Sequence, residues 1–201
     1  MLTKPTIGYL SPEEYFALEA QSETRHEYYN GEIFAMAGTS QNHNTIALNM
    51  AFAFREQLKS KSCLLFIEQI KVELAVNTHY TYPDLVISCD PRDDNGKAHK
   101  INYPALVIEI LSESTAEYDR GLKRQKYFKL DSLQYYILVS QDICMVEVYE
   151  RINNTQIWQF CDYELPTDIV YLSKLGDLQI SVAQIYENIV FENAVDDTST
   201  Q

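Results

Sequence analysis

The sequence predicts an α/β (α+β) domain, a β-sheet core flanked by helices with an N-terminal β-hairpin and a β-rich C-terminal end. Three observations carry this expectation. Apolar residues Ile46, Met50, Ala53 and Phe54 recur at helical spacing within a segment running from about Asn42 to Leu58. Asp84-Leu-Val-Ile-Ser and Ala105 to Leu111 (ALVIEIL) are short apolar runs, as expected of strands buried on both faces. From Gln134 onward, strand-like runs follow one another at short intervals.

In chain order, Ser11-Pro12-Glu13-Glu14 opens a short, peripheral helix, with Ser as cap, Pro in the first helical position and acids in the first turn. Asn30-Gly31 is a hairpin signal, because both residues tolerate the positive φ angles of a type I′ turn. The helix over 42–58 should lie on a sheet. Cys63 to Val76 fits a strand pair or one long bent strand, and Tyr82-Pro83 leads rigidly into the strand that Asp84 begins. Asp90-Pro-Arg-Asp-Asp-Asn-Gly is a surface turn. Ser114-x-x-Glu117 has the pattern of a capping box opening a helix to about Leu130. Gln134–Ser140, Cys144–Arg151, Ile157–Tyr163 and Ile169–Leu172 complete the strands, and Val182–Asn188 allows a last helical turn. The division expected is an N-terminal helical extension (1–22), the main domain (23–190) and a disordered tail (191–201).

The 201 residues, 46% hydrophobic and 22% charged, suffice for one domain with a sizeable core. No stretch approaches the ~18 apolar residues of a membrane helix, and the beginning lacks a secretory signal, so no membrane partner and a cytoplasmic setting are expected. Cys63, Cys89, Cys144 and Cys161 are widely spaced. They suggest buried free thiols in a reducing compartment. The net charge of -13 argues against generic nucleic-acid binding. Its distribution is uneven, however: Lys97 to Lys129 holds seven of the 16 basic residues and four acids, so this segment is locally positive. A solvated basic helix face accounts for that equally well.

Glu109 is the most informative residue, since an ionised carboxylate in an apolar strand costs several kcal/mol unless a cation or hydrogen bonds compensate. Asp84, at the mouth of another apolar strand, offers a second anchoring oxygen for a hard divalent cation such as Mg²⁺, with Mn²⁺ as a substitute. Lys123 shares one helical stripe with Tyr127 and Leu130 and can point its ammonium toward these carboxylates. Asp119, one turn earlier, is a candidate ion-pair partner for it. Arg120, Lys126 and Lys129 are candidates for contacts with phosphates. His43 can face a phosphate or a metal-bound water, or simply hydrogen-bond at a helix start. Glu27 and Glu32 can add an acid from the hairpin or be its surface charge, and Glu68 stands similarly on its own apolar run.

These pieces together resemble the Uma-type restriction-endonuclease family of the PD-(D/E)XK nuclease superfamily. The resemblance rests on Pro83-Asp84, the strand bearing Glu109 (VIEILSEST), Asp119-Arg-Gly-Leu-Lys123-x-x-x-Tyr127 and QYYILV. Upstream it rests on Arg25-His26-Glu27, Asn30-Gly31-Glu32-Ile33, Ala35-Met36-Ala37-Gly38 and Asn42-His43-Asn44, so that it spans roughly 23 to 186. It implies a restriction-endonuclease-like core with a four-stranded mixed sheet, a divalent metal on Asp84 and Glu109, and hydrolysis of phosphodiester bonds in nucleic acid, DNA in the first instance, by a homodimer. The superfamily places its lysine two residues after the second acid; that position is Leu111 here, and the Uma-type pattern moves the role to Lys123. A nuclease-like domain that binds nucleic acid or a protein partner without cutting is the competing reading. A dimerisation module, suggested by 15 tyrosines, is a third.

Overall fold

The computed structural model describes residues 9–36 and 38–191. In chain order the elements are α1 (Pro12–Glu19), β1 (His26–Tyr29), β2 (Glu32–Ala35), α2 (Gln41–Leu58), β3 (Leu64–Ile67), β4 (Lys71–Ala75), β5 (His79–Thr81), β6 (Leu85–Ser88), β7 (Lys100–Ile101) and β8 (Pro104–Leu111). There follow α3 (Ala116–Tyr118), a π-helical segment (Asp119–Lys123), α4 (Arg124–Tyr127), β9 (Tyr135–Ser140), β10 (Val146–Arg151), β11 (Trp158–Tyr163), β12 (Ile169–Leu172), β13 (Leu178–Ser181) and α5 (Val182–Ile185). The fold is mixed α+β. Among the described residues no helix is long and apolar enough to cross a membrane.

The central sheet has six strands in the order β11-β10-β9-β8-β6-β3, with β8 and β9 parallel and every other neighbouring pair antiparallel. It is mixed as expected but wider than four strands. A second sheet, β2-β1-β5-β4-β7, and a β12-β13 pair were not foreseen. The hairpin forms at Asn30 and Gly31, with φ of 47° and 94°. The segment 63–76 is neither one bent strand nor a pair: Glu68, at φ 49°, turns the chain so that β3 joins the central sheet and β4 the second.

Strand periodicity decides what faces the site. Leu106, Ile108 and Ile110 of β8 pack with Ile46, Met50 and Phe54 of α2, which lies over one face of the central sheet. Val107 and Leu111 face the opposite way, into a core with Val72 and Leu74 of β4, Tyr127 of α4, and Tyr136 and Leu138 of β9. Each such fully buried side chain contributes about 1.5–3 kcal/mol of transfer free energy. Glu109 lies between Val107 and Leu111, so alternation turns it toward this second core and the helix carrying Lys123. Arg151, fully buried on β10, fixes that helix: it donates to the carbonyls of Phe128 (3.0 Å), Leu130 (2.6 Å) and Leu133 (2.6 Å) just beyond α4.

Four local expectations need correction. The helix expected from Ser114 begins later, at Ala116; Thr115 precedes it without a side-chain cap of its own, and Ser112 and Thr115 bond each other. Helix α1 is not peripheral: Tyr15 is fully buried and stacks on Tyr28 and Tyr80. Cys63 and Cys89 are not free thiols. The register Leu64 with Ser88, carried one residue outward, sets the two cysteines opposite each other, and they form a disulfide, while Cys144 and Cys161 are free. This removes the thiol argument for a reducing compartment. Finally, Phe191, assigned to the tail, packs its ring 5.4 Å from that of Tyr186. Residues 192–201 of that tail and 1–8 of the extension lie outside the described residues.

Candidate functional site

Strands β6 and β8 pair with Leu85 opposite Ile108, so the next pair in register is Asp84 and Glu109. Residues directly opposite on antiparallel strands share a face, with Cβ atoms about 4.5–5.5 Å apart. Asp84 is held from three directions. Its Oδ2 accepts the Ile110 amide at 2.6 Å, its Oδ1 lies 3.2 Å from His43 Nε2, and its carbonyl accepts the Glu68 amide at 2.9 Å. His43 arrives in the first turn of α2, where Ser40 caps the helix by accepting the His43 amide at 3.0 Å. His43 Nδ1 is buried with no hydrogen-bond partner among the described residues.

Lys123 stands across from this pair. Its Nζ lies 3.0 Å from Glu109 Oε1, 3.1 Å from Glu27 Oε1 and 3.5 Å from Asp119 Oδ1, and all four residues are buried. The stripe expected for Lys123 and Tyr127 forms. Tyr127 donates to Glu109 Oε1 at 3.1 Å and exchanges a 2.9 Å bond with Thr81. The π-helical segment lies where Asp119 and Lys123 both turn inward, and such bulges recur at functional sites. Glu27 comes from β1, which β2 and β5 flank in the second sheet, so its carboxylate is shielded rather than left on the hairpin surface.

The electrostatics follow from burial. Desolvation pushes the Glu109 carboxyl well above its ordinary range; Lys123 pulls the other way, and the charges of Asp119, Asp84 and Glu27 add to the rise. Glu27 is raised by burial too, with Lys123 offsetting only part. Burial alone would lower Lys123, but Glu109, Glu27, Asp119 and Tyr127 together outweigh it and hold the ammonium well above its usual value. The directions agree on one picture: the lysine keeps its proton while several carboxyls compete for a single ammonium. For His43, burial opposes the charged form, yet the bond and charge of Asp84, with Glu68 and Asp119 beyond, raise the imidazole.

These groups open on a cleft of about 680 Å³ lined by Glu27, Asp84, Glu109, Asp119, Lys123 and His43 among others. The structure therefore brings together most of the candidate residues. Glu32 stays out, exposed on β2. Glu68 braces Asp84 through its backbone but does not line the cleft. The three expected phosphate contacts are also elsewhere: Arg120 is bound to Glu147 at 2.7 and 2.5 Å, Lys126 reaches Tyr29 at 3.5 Å, and Lys129 is exposed outside the cleft. Sequence reasoning missed Tyr118, Ser112, Thr115 and Gln141 of the lining and the hydroxyl of Tyr127. Only Tyr127 carried a signal, its place one turn after Lys123.

Among the described residues no group of three or more His, Cys, Asp or Glu side chains is arranged to hold a metal ion. The donor set nonetheless suits a hard cation that needs few protein ligands and keeps its waters. Asp84 and Glu109 adjoin, both bonds to Glu109 fall on Oε1, and the carboxyls exceed the available positive charge.

A family described as "Uma2: Putative restriction endonuclease" matches residues 12–183. The uncharacterized protein slr1290 of Synechocystis is 36% identical over 182 residues, covering 90% of this chain and 94% of that protein. A second Synechocystis protein, sll1609, is 29% identical over 157 residues, covering 78% and 89%. A crystal structure from Anabaena variabilis, described as a putative nuclease belonging to DUF820, superposes with a TM-score of 0.73 at 19% identity, covering 90% of this chain and 99% of that one. That likeness establishes the shared fold.

Proposed function

This chain belongs to the Uma2 family, and on that premise we propose that it is a divalent-metal-dependent endonuclease hydrolysing phosphodiester bonds in nucleic acid, DNA in the first instance. The observation that carries the reading is the meeting of Lys123 Nζ with Glu109 Oε1 at 3.0 Å on the wall of a cleft that Asp84 also lines. Asp84 and Glu109 are the residues that would hold Mg²⁺ or Mn²⁺, which when bound supplies a Lewis acid and a water of lowered pKa. In hydrolysis the water oxygen forms a bond to phosphorus as the bond to the leaving oxygen breaks, and the proton the water gives up ends, through solvent, on that leaving oxygen. Lys123, kept protonated by its acids, is placed to stabilise negative charge on the phosphoryl oxygens. His43 orients Asp84, and Tyr127 with Lys123 orients Glu109. The expected homodimer belongs to the same proposal and is checked by sedimentation.

Incubating supercoiled plasmid with the protein and Mg²⁺ or Mn²⁺ tests the reading. Nicking by the wild type and its loss in both Asp84→Asn and Glu109→Gln, with both variants still folded by circular dichroism, is the expected result. Cleavage retained by both variants overturns the assignment. Binding of DNA without cleavage in either metal would favour the non-cutting alternative, for which the ionic capture of Lys123 by three acids and Leu111 in the usual lysine position speak.

A further inference from the structure

A polyanion has to enter a cleft whose lining holds five carboxylates (Glu27, Asp84, Glu109, Glu113, Asp119) against one lysine and one histidine. Duplex DNA is held chiefly by Lys and Arg that neutralise phosphates and release counterions, and the affinity grows with their number. Of the basic side chains nearest in sequence, Arg120 pairs with Glu147 and Lys126 leans on the Tyr29 ring at 5.1 Å, and neither lines the cleft. A metal at Asp84 and Glu109 offsets two of the acids and leaves the rim acidic.

What the lining offers instead suits an unstacked base. Phe34, Met36 and Tyr118 contribute apolar and aromatic surface, and Ser112, Thr115 and Gln141 contribute hydrogen-bonding groups. Base–aromatic stacking adds affinity through the π-face that every base presents, without itself neutralising phosphates. The volume of about 680 Å³ is that of a small-molecule pocket. It is large enough to take a nucleotide. Tyr118 is half-buried, immediately precedes the π-helical segment, and its ring lies 5.9 Å from Lys123 Nζ. A base stacked on that ring would bring an adjoining phosphate toward Lys123.

Resting on the nuclease reading above, we propose that the cleft takes an unpaired nucleotide, so that the substrate is single-stranded nucleic acid or an unpaired segment rather than intact duplex. Tyr118 is the stacking residue. The test is fluorescence-anisotropy titration of the full chain, in Ca²⁺ to suppress turnover, with a labelled single-stranded oligodeoxynucleotide and with the same sequence as a duplex. The single strand should bind at least about tenfold more tightly; Tyr118→Ala should lose about tenfold in that affinity, and Tyr118→Phe should restore most of it. Equal or tighter binding of the duplex overturns the inference, as does a folded Tyr118→Ala that binds the single strand like the wild type. If the duplex is preferred and is cut, the nuclease reading stands and this inference falls. If neither form is bound or cut, both fall.

Discussion

Tyr127 donates its phenolic hydrogen to Oε1 of Glu109 over 3.1 Å, the same oxygen that Lys123 reaches at 3.0 Å. Two groups one helical turn apart thus grip one oxygen of a strand carboxylate and fix its rotation. Tyr127→Phe keeps the ring against Tyr136 but removes that bond and the one to Thr81. The loss expected is about 1–2 kcal/mol of unfolding free energy. Mn²⁺ affinity, read by calorimetry, should fall with it. A variant matching the wild type in both stability and Mn²⁺ binding would show that Glu109 is oriented without Tyr127.

Lys123→Met removes the one ammonium shared by Glu27, Glu109 and Asp119. Leaving buried carboxylates unpaired costs about 3–5 kcal/mol. Glu27 and Glu109 are already raised by burial, so without the lysine they hold protons to still higher pH. An acid whose folded pKa is raised stabilises the fold below its unfolded value, and that stability is lost as pH climbs through the folded value. Urea unfolding should therefore show a larger deficit for Lys123→Met at pH 8 than at pH 5. A deficit independent of pH would mean that the lysine serves packing alone.

Asp84 and Glu109 were legible in the sequence because a carboxylate inside an apolar strand, or just after a strand-fixing proline, has few bland explanations. Lys123 was legible through its stripe with Tyr127. Glu27 was undervalued for a physical reason: a hairpin next to an Asn-Gly turn looks solvent-exposed until β5, only three residues long, covers its other edge. The second sheet escaped notice on the same ground, since β5 and the two-residue β7 are too short to show alternation. The positive segment is a different case. Counting charge along the chain could not see that Arg120 would be taken up by Glu147 on a distant strand.

His79 is 1% exposed, neither ring nitrogen has a hydrogen-bond partner among the described residues, and burial, with Lys126 and Lys123 nearby, lowers its pKa to about 4. The unfolded chain takes up a proton near the ordinary value of 6.5, which the folded chain refuses until about 4. The stability His79 contributes is thus present above pH 6.5 and lost as pH falls toward 4, about 2 kcal/mol of it by pH 5. His79→Phe retains the edge contact with the Tyr29 ring and has no proton to take up. Its stability should fall less than that of the wild type between pH 7 and pH 5 in urea titrations. Identical slopes would place the acid sensitivity elsewhere.

Cys63 and Cys89 join edge strand β3 to β6, and the same strand pair ends where the Glu68 amide braces the Asp84 carbonyl. Closing a chain segment of 26 residues removes conformational freedom from the unfolded state, worth about 3.5 kcal/mol on the chain-entropy account. Cys63→Ser, or reduction of the wild type, should lower the urea midpoint by a corresponding amount, and the wild type should then match the variant under reducing conditions. Thiol titration of the denatured, unreduced protein should find two reactive groups, Cys144 and Cys161. Four reactive thiols would show that the strands hold together by backbone pairing alone and that the edge beside Asp84 has no covalent tie.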